Sequence, residues 1–412
     1  MTETLDVTSN KPASTPSARY YWVIMGTGFV LLLAAMGFGR FTYPMLLPSM
    51  QDSLGQTYGP MGVLGTMNLI GYLSFALGSG VLATRYGAKV VVTGSMILVG
   101  LCMIAMGLVT SYWAALVTML LAGMGTAGVF APCAGLARAW TPPNLGGFTM
   151  GFLSTGASLG TAIAAFFIPI LLATQGQEGW RPAWIYMGAT ALGLTTLGAV
   201  TLKARPGRVG PGNQGGAPPV SLAWRQVFQN RTIAGICLAY FLFGFYQVYV
   251  TFFIAYLRRG LGLPAEVVGN IWLVWAILGF LFLALWGLLS DRIGRKQAVA
   301  LCMLPLLVSV ILPMFRQDIP FLYISAVLYG ATYGGPMQII LAAAADAVPV
   351  SLAAAAVGLV TAFFGLGQAI SPAIAGYLAD LTGSFYPGFA LSAVVMASSL
   401  AIFALLPLKR AA

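Results

Sequence analysis

Residues 34–44 read Ala34-Ala35-Met36-Gly37-Phe38-Gly39-Arg40-Phe41-Thr42-Tyr43-Pro44, inside an apolar run from Tyr20 to Met50. No charge occurs in the twenty residues before Arg40 or the eleven after it. A run of that length spans a bilayer, which takes about 20 residues. A guanidinium keeps its proton. Holding it at bilayer depth costs about 3 kcal/mol or more. Something in the fold must offset that cost, and an anion is the obvious candidate.

The rest of the chain fits a membrane setting. Hydrophobic residues are 59% of 412, enough for about twelve such spans. Charged residues are 7%, against about 25% in soluble domains. The apolar runs are long and continuous, unlike the short alternating segments of a β-barrel. The net charge of +11 comes from basic residues in short loops, so it reads as membrane orientation and not as a nucleic-acid surface. Cys102, Cys133, Cys237 and Cys302 lie in apolar runs without metal-ligand spacing, and there is no histidine. No phosphate loop, nucleophile triad or metal cluster is present, which argues against an ATPase or an intramembrane enzyme.

Twelve spans are expected near 20–50, 59–83, 90–109, 113–138, 146–173, 182–202, 231–257, 265–289, 298–315, 320–345, 352–378 and 385–407. The one long hydrophilic interruption, Lys203 to Arg231, is rich in proline and glycine and reads as a linker. The expected organisation is a disordered N-terminus at 1–19, a six-helix bundle at 20–202, a linker at 203–230, a second bundle at 231–408 and a tail at 409–412. No cleavable signal peptide is apparent. With the N-terminus cytoplasmic, fifteen lysines and arginines fall inside and four (Arg181, Arg258, Arg259, Arg316) outside. Both termini and the linker are therefore expected on the cytoplasmic side.

An offset of 207 residues recurs, pairing Gly62 with Gly269, Gly80 with Gly287, Arg85 with Arg292, Gly123 with Gly330 and Gly160 with Gly367. The fold class expected is an all-α membrane protein: twelve transmembrane helices in two six-helix halves related by pseudo-two-fold symmetry. That is the architecture of a rocking secondary transporter.

Two loops carry the sharpest motif. Gly287-Leu288-Leu289-Ser290-Asp291-Arg292-Ile293-Gly294-Arg295-Lys296 separates helices 8 and 9. A weaker copy, Gly80-Val81-Leu82-Ala83-Thr84-Arg85-Tyr86-Gly87-Ala88-Lys89, separates helices 2 and 3. A tight glycine turn there presents a carboxylate and cations at a helix end, so Asp291, Arg292, Arg295, Arg85 and Thr84 are assigned to a conformational latch. Thr84 stands where the second copy has its acid, so the first half should latch more weakly. Both loops resemble the GxLaDrxGrr signature of the major facilitator superfamily. More narrowly, GFGRFTYPMLLPSM followed by Asn68-Leu69-Ile70-Gly71-Tyr72 resembles the start of its bacterial YbfB/YjiJ-like branch. The resemblance implies the superfamily fold, a bacterial inner membrane, and a central cavity lined mainly by helices 1, 2, 4, 5, 7, 8, 10 and 11.

Within that frame Pro44 and Pro48 are expected to bend helix 1, with Tyr43 one turn beyond Arg40 on the same face. The repeat makes Gln247, in Phe245-Tyr246-Gln247-Val248-Tyr249, the symmetry mate of Arg40. The substrate-binding candidates are Arg40, Tyr43, Asn68, Tyr72, Tyr246, Gln247, Trp275, Tyr329, Tyr333 and Gln368. For the tyrosines and tryptophans, packing or an interfacial belt is an equally good account. All nine acids fall in tails, loops or at span edges, so no carboxylate is expected near the membrane midplane.

The function expected is transport of a small organic anion, a monocarboxylate, by alternating access with proton symport or anion exchange. The alternative is a proton-driven efflux pump for amphipathic drugs or metabolites. Expected partners are the anionic substrate, the lipid bilayer and a co-transported proton. No cofactor, metal or nucleic acid is expected, and the chain is expected to act as a monomer.

Overall fold

The computed structural model describes residues 18–140, 146–202 and 229–407. Most of the expected disordered N-terminus, most of the linker and the C-terminal tail lie outside these residues. Among the described residues every regular element is helical.

The first span comprises α1 (Ala18–Leu32), a widened π-helical segment (Leu33–Phe41) and α2 (Tyr43–Ser53). The next five are α3 (Tyr58–Tyr86), α4 (Ala88–Leu108), α5 (Tyr112–Trp140), α6 (Gly146–Gln175) and α7 (Trp180–Thr201). The second half opens with α8 (Arg231–Phe243), a 3-10 turn (Gly244–Tyr246), α9 (Gln247–Ala255) and a π turn (Tyr256–Gly260). It continues with α10 (Ala265–Ile293), α11 (Arg295–Phe315), the broken pair α12 (Ile319–Thr332) and α13 (Gly334–Asp346), α14 (Val350–Thr382) and α15 (Tyr386–Leu405).

Among the described residues nine stretches are by themselves long and apolar enough to cross a bilayer. One of these, Gly151–Thr201, takes in both α6 and α7, and α3 qualifies as a bent span; the broken pair α12 and α13 stands at the expected tenth position without itself reaching that length and hydropathy. Helices therefore stand at all twelve expected positions. In lipid every backbone group must be satisfied internally, which is why the spans are helical throughout. Large apolar side chains such as Val81, Trp113, Phe315 and Leu405 are exposed, and only acyl chains would cover them.

Packing repeats between the halves. In the first half α3 packs on α5, α4 on α7 and α1 on α6; in the second α10 packs on α12, α11 on α15 and α8 on α14. The halves meet through α3 with α14, α6 with α10, and α2 with α9. The first two of these contacts are each other's symmetry equivalents, as the repeat requires.

Polar contacts between the halves gather at the end of the bundle away from Ala18 and Pro407, called here the far end. Arg259 pairs with Asp52 and donates to the Pro48 carbonyl at 3.4 Å. The Asp380 carboxylate accepts from the backbone N–H groups of Tyr58 at 2.8 Å and Gly59 at 2.7 Å. Those donors open α3 and have no partner within their own helix. Deeper in the bundle, Thr66 donates to the Ala369 carbonyl at 2.5 Å.

The bend in the first span differs from the expectation. The helix widens over Leu33–Phe41 and breaks at Thr42, ahead of both prolines. Pro44 sits in the first turn of α2, where its missing N–H leaves no helical bond unmade. The Thr42 hydroxyl donates to the Gly37 carbonyl at 2.9 Å and so satisfies one group the widened turn frees. Gly37 meets Gly160 of α6 so closely that a Cβ on Gly37 would lie 2.6 Å from the Gly160 Cα. The close approach holds the segment that carries Arg40 against α6.

Candidate functional site

The backbone is irregular at corresponding places in the two halves. Arg40 is the last residue but one of the π-helical segment, and its mate Gln247 follows the 3-10 turn at once. Both side chains line one small pocket with Tyr43, Asn68 and Thr251, between the first, second, seventh and eleventh spans. Irregular backbone at membrane depth is tolerated only where protein or a cavity receives its polar groups.

Arg40 is half-buried, and its charge is met by neutral groups. Its Nη2 donates to Gln368 Oε1 at 3.4 Å, and its guanidinium lies 4.7 Å from the centre of the Tyr72 ring. Among the described residues the ion pairs are Glu178–Arg181, Asp52–Arg259, Asp291–Arg295 and Asp346–Arg295, and none involves Arg40. Weak dipoles and an aromatic face offset part of the desolvation of a cation. The guanidinium offers five donors, and most remain for a ligand.

Gln368 is the hub. Its Nε2 donates to the Tyr246 hydroxyl at 2.7 Å and to Gln247 Oε1 at 3.3 Å, while its Oε1 receives Arg40. Tyr246 is locked in turn, because its carbonyl accepts from the Tyr329 hydroxyl at 3.1 Å and its ring stacks on Phe243 at 5.2 Å. Arg40, Tyr72, Gln368, Tyr246 and Gln247 thus form one connected group drawn from four spans.

The other expected site residues sit differently. Tyr43 lines the pocket, but its hydroxyl proton goes to the Met61 carbonyl at 2.6 Å. Asn68 also lines it; its amide nitrogen donates to the Met119 carbonyl at 3.4 Å, and its buried Oδ1 has no hydrogen-bond donor among the described residues. Tyr72, Tyr246 and Gln368 do not line the pocket itself, and neither do Trp275, Tyr329 and Tyr333. The last three form an aromatic layer behind Tyr246, with Tyr329 stacked 6.0 Å from Tyr333 and Trp275 5.3 Å from Tyr333. Thr251 was not among the expected residues. Four residues beyond Gln247, it lies one turn further along the same helix face.

The pocket is about 20 Å³, room for about one water. No organic ligand fits it as it stands. Occupancy requires the halves to part, which is the motion a rocking architecture supplies.

The latch residues lie at the other end. Gly87 and Gly294 take the same left-handed turn, with φ of 87° and 89°. Asp291 pairs with Arg295 at 2.6 Å, and Arg295 reaches Asp346 at 3.0 Å and Ser290 Oγ at 2.6 Å. The second copy thus ties α10, α11 and the end of α13 together. In the first copy Thr84 donates to its own helix at Val81, and Arg85 lies over the Tyr86 ring. Arg292 is exposed and joins none of the ion pairs named above.

The Asp52–Arg259 and Asp380 contacts were not expected from the sequence. The signal for the first was available, since 207 residues separate Asp52 from Arg259. For Asp380 no spacing points to the start of α3.

Residues 32–404 match the family described as "Uncharacterised MFS-type transporter YbfB". The chain is 24% identical over 381 residues to the probable sulfoacetate transporter SauU of Cupriavidus necator, covering 87% of each chain. It is 25% identical over 395 residues to the hexuronate transporter of Bacillus subtilis, covering 90% of each. The crystal structure of the nucleoside transporter NupG superposes with a TM-score of 0.79 at 14% identity, over 92% of this chain and all of that one. With the two-fold bundle, the paired glycine loops and a match over nearly its whole length, this chain belongs to the YbfB-type transporters of the major facilitator superfamily.

Proposed function

We propose that this protein is a secondary transporter for a small organic anion, a monocarboxylate, bound at Arg40 and moved by alternating access. The observation that carries the reading is the half-buried Arg40 with no acidic partner among the described residues. A carboxylate would take two oxygens to the guanidinium, with Gln368, Gln247 and Tyr246 available to the rest of the molecule. The related proteins named for sulfoacetate and hexuronate, both small anions, support the same class.

Coupling is by proton symport or anion exchange. The described acids stand in loops or near helix ends, so the proton travels on the substrate or on an acid at the rim. The two bundles of residues 20–202 and 231–408 are the moving bodies, joined by the 203–230 linker. Both termini face the cytoplasm across a bacterial inner membrane, as the basic loops direct, and the working unit is the monomer.

Uptake of radiolabelled glucuronate and lactate into proteoliposomes, with and without an inward pH gradient, tests the reading. Accumulation that a pH gradient or a trans anion drives is expected. Absence of carboxylate transport, together with drug efflux on overexpression, would replace it with the efflux alternative.

A further inference from the structure

We infer that the far end carries a second binding site, which takes a small carboxylate with an aromatic body and holds that end shut. A pocket of about 260 Å³ opens there, lined by Tyr58, Tyr256, Arg259, Gln317, Phe385 and Tyr386 among others. It shares no lining residue with the Arg40 pocket.

Its chemistry selects the ligand. Both polar contacts of Arg259, to Asp52 and to the Pro48 carbonyl, use Nη2. Nε and Nη1 have no hydrogen-bond partner among the described residues, and the side chain is 38% exposed. Nη2 completes both two-donor edges of the guanidinium, so Nε and Nη1 remain as separate donors, each able to give a carboxylate oxygen one charge-assisted bond. Beside the guanidinium stand aromatic rings, with Tyr58 edge-on to Phe385 at 4.7 Å and Tyr256 edge-on to Phe385 at 6.1 Å. A flat apolar body packs against such rings in offset or edge-to-face geometry.

The pocket also straddles the halves. Tyr58 belongs to the first, and the other lining residues belong to the second. Its cation is tied to Asp52, and Asp380, next to the lining residue Ala379, holds the start of α3. All of these lie together only while the far end is shut. A ligand that binds one conformation better shifts the population toward it. A carboxylate arriving from the far side therefore slows opening instead of being carried through this site.

The test is benzoate binding by calorimetry to the full chain in nanodiscs. An Arg40→Ala background removes the central site. That variant is expected to retain one benzoate site, and adding Arg259→Gln should weaken it about tenfold or more. The exchange Asp52→Arg with Arg259→Asp, on the same background, keeps the ion pair but takes the guanidinium out of the pocket. It should lose benzoate to the same degree while melting like its parent. No benzoate binding in Arg40→Ala, or undiminished binding after the exchange, overturns the inference. Unchanged uptake in Arg40→Ala would instead overturn the central-site reading and leave this one standing.

Discussion

Asp52 and Arg259 are ion-paired across the two halves, and they are the same position in each, 207 residues apart. The offset that relates Arg40 to Gln247 in the central pocket also builds the contact that closes the far end. A position facing its own mate across a two-fold axis cannot carry the same charge in both halves. Divergence of the halves is therefore a condition of the closure.

Reversing one partner should weaken closure, and reversing both should restore it. Asp52→Arg alone sets two cations together, and the exchange with Arg259→Asp rebuilds the pair. The side chains are 41% and 38% exposed, so the coupling should be modest, about 0.2–1 kcal/mol. A double-mutant cycle on thermal unfolding measures it.

Arg40→Lys keeps the charge but loses the planar fork. We expect substrate affinity to fall about tenfold or more, with the protein still folded. Arg40→Ala should abolish uptake of the anion. Counterflow in proteoliposomes reads both variants, and normal transport by Arg40→Ala would make the residue structural.

Gln368→Leu removes the hub between Arg40, Tyr246 and Gln247. The buried amide of Gln247 then loses a donor, and the cost is about 1–3 kcal/mol. A several-fold rise in KM should accompany a lower melting temperature. Gln368→Glu tests the charge directly, since a carboxylate beside Arg40 would compete with the substrate.

Gly160→Ala should be disruptive despite its size. The new Cβ would fall 2.2 Å from the Leu33 carbonyl oxygen and 3.0 Å from the Gly37 Cα. Backbone on both sides prevents relief, so a loss of about 1–3 kcal/mol is expected, together with reduced transport as the Arg40 segment shifts. Thermal unfolding and uptake of the same preparation check both effects.

Glu178, in the turn between α6 and α7, is held below the usual carboxylate range by hydrogen bonds from Ser53 first and then Arg181. A depressed folded-state pKa contributes stability above the unfolded value, and that contribution is lost as pH falls through the folded value. The melting temperature of Glu178→Gln should therefore respond less to acidification than that of the parent. Equal acid responses in the two proteins would exclude this contribution.

Residue composition and order determined the helical membrane fold, the twelve spans and the division into two halves. Hydrocarbon leaves a chain no other way to satisfy its backbone, and a repeat at one offset leaves few ways to arrange the spans. Arg40 was legible because an arginine in an apolar run is conspicuous by itself, and Gln247 because the offset names it. The tertiary structure decided which polar residues meet. Gln368 lies 328 residues from Arg40, and nothing local marks it as the group that receives the guanidinium. Tyr329, Tyr333 and Trp275 look as eligible as Tyr246 in the sequence, yet the twist of the helices turns them into the layer behind it. The break at Thr42 was likewise hidden, because the prolines were visible and the widened turn before them was not. Hydrophobic pattern acts residue by residue and survives in one dimension; the match between two side chains depends on helix rotation and depth, which only the packed bundle fixes.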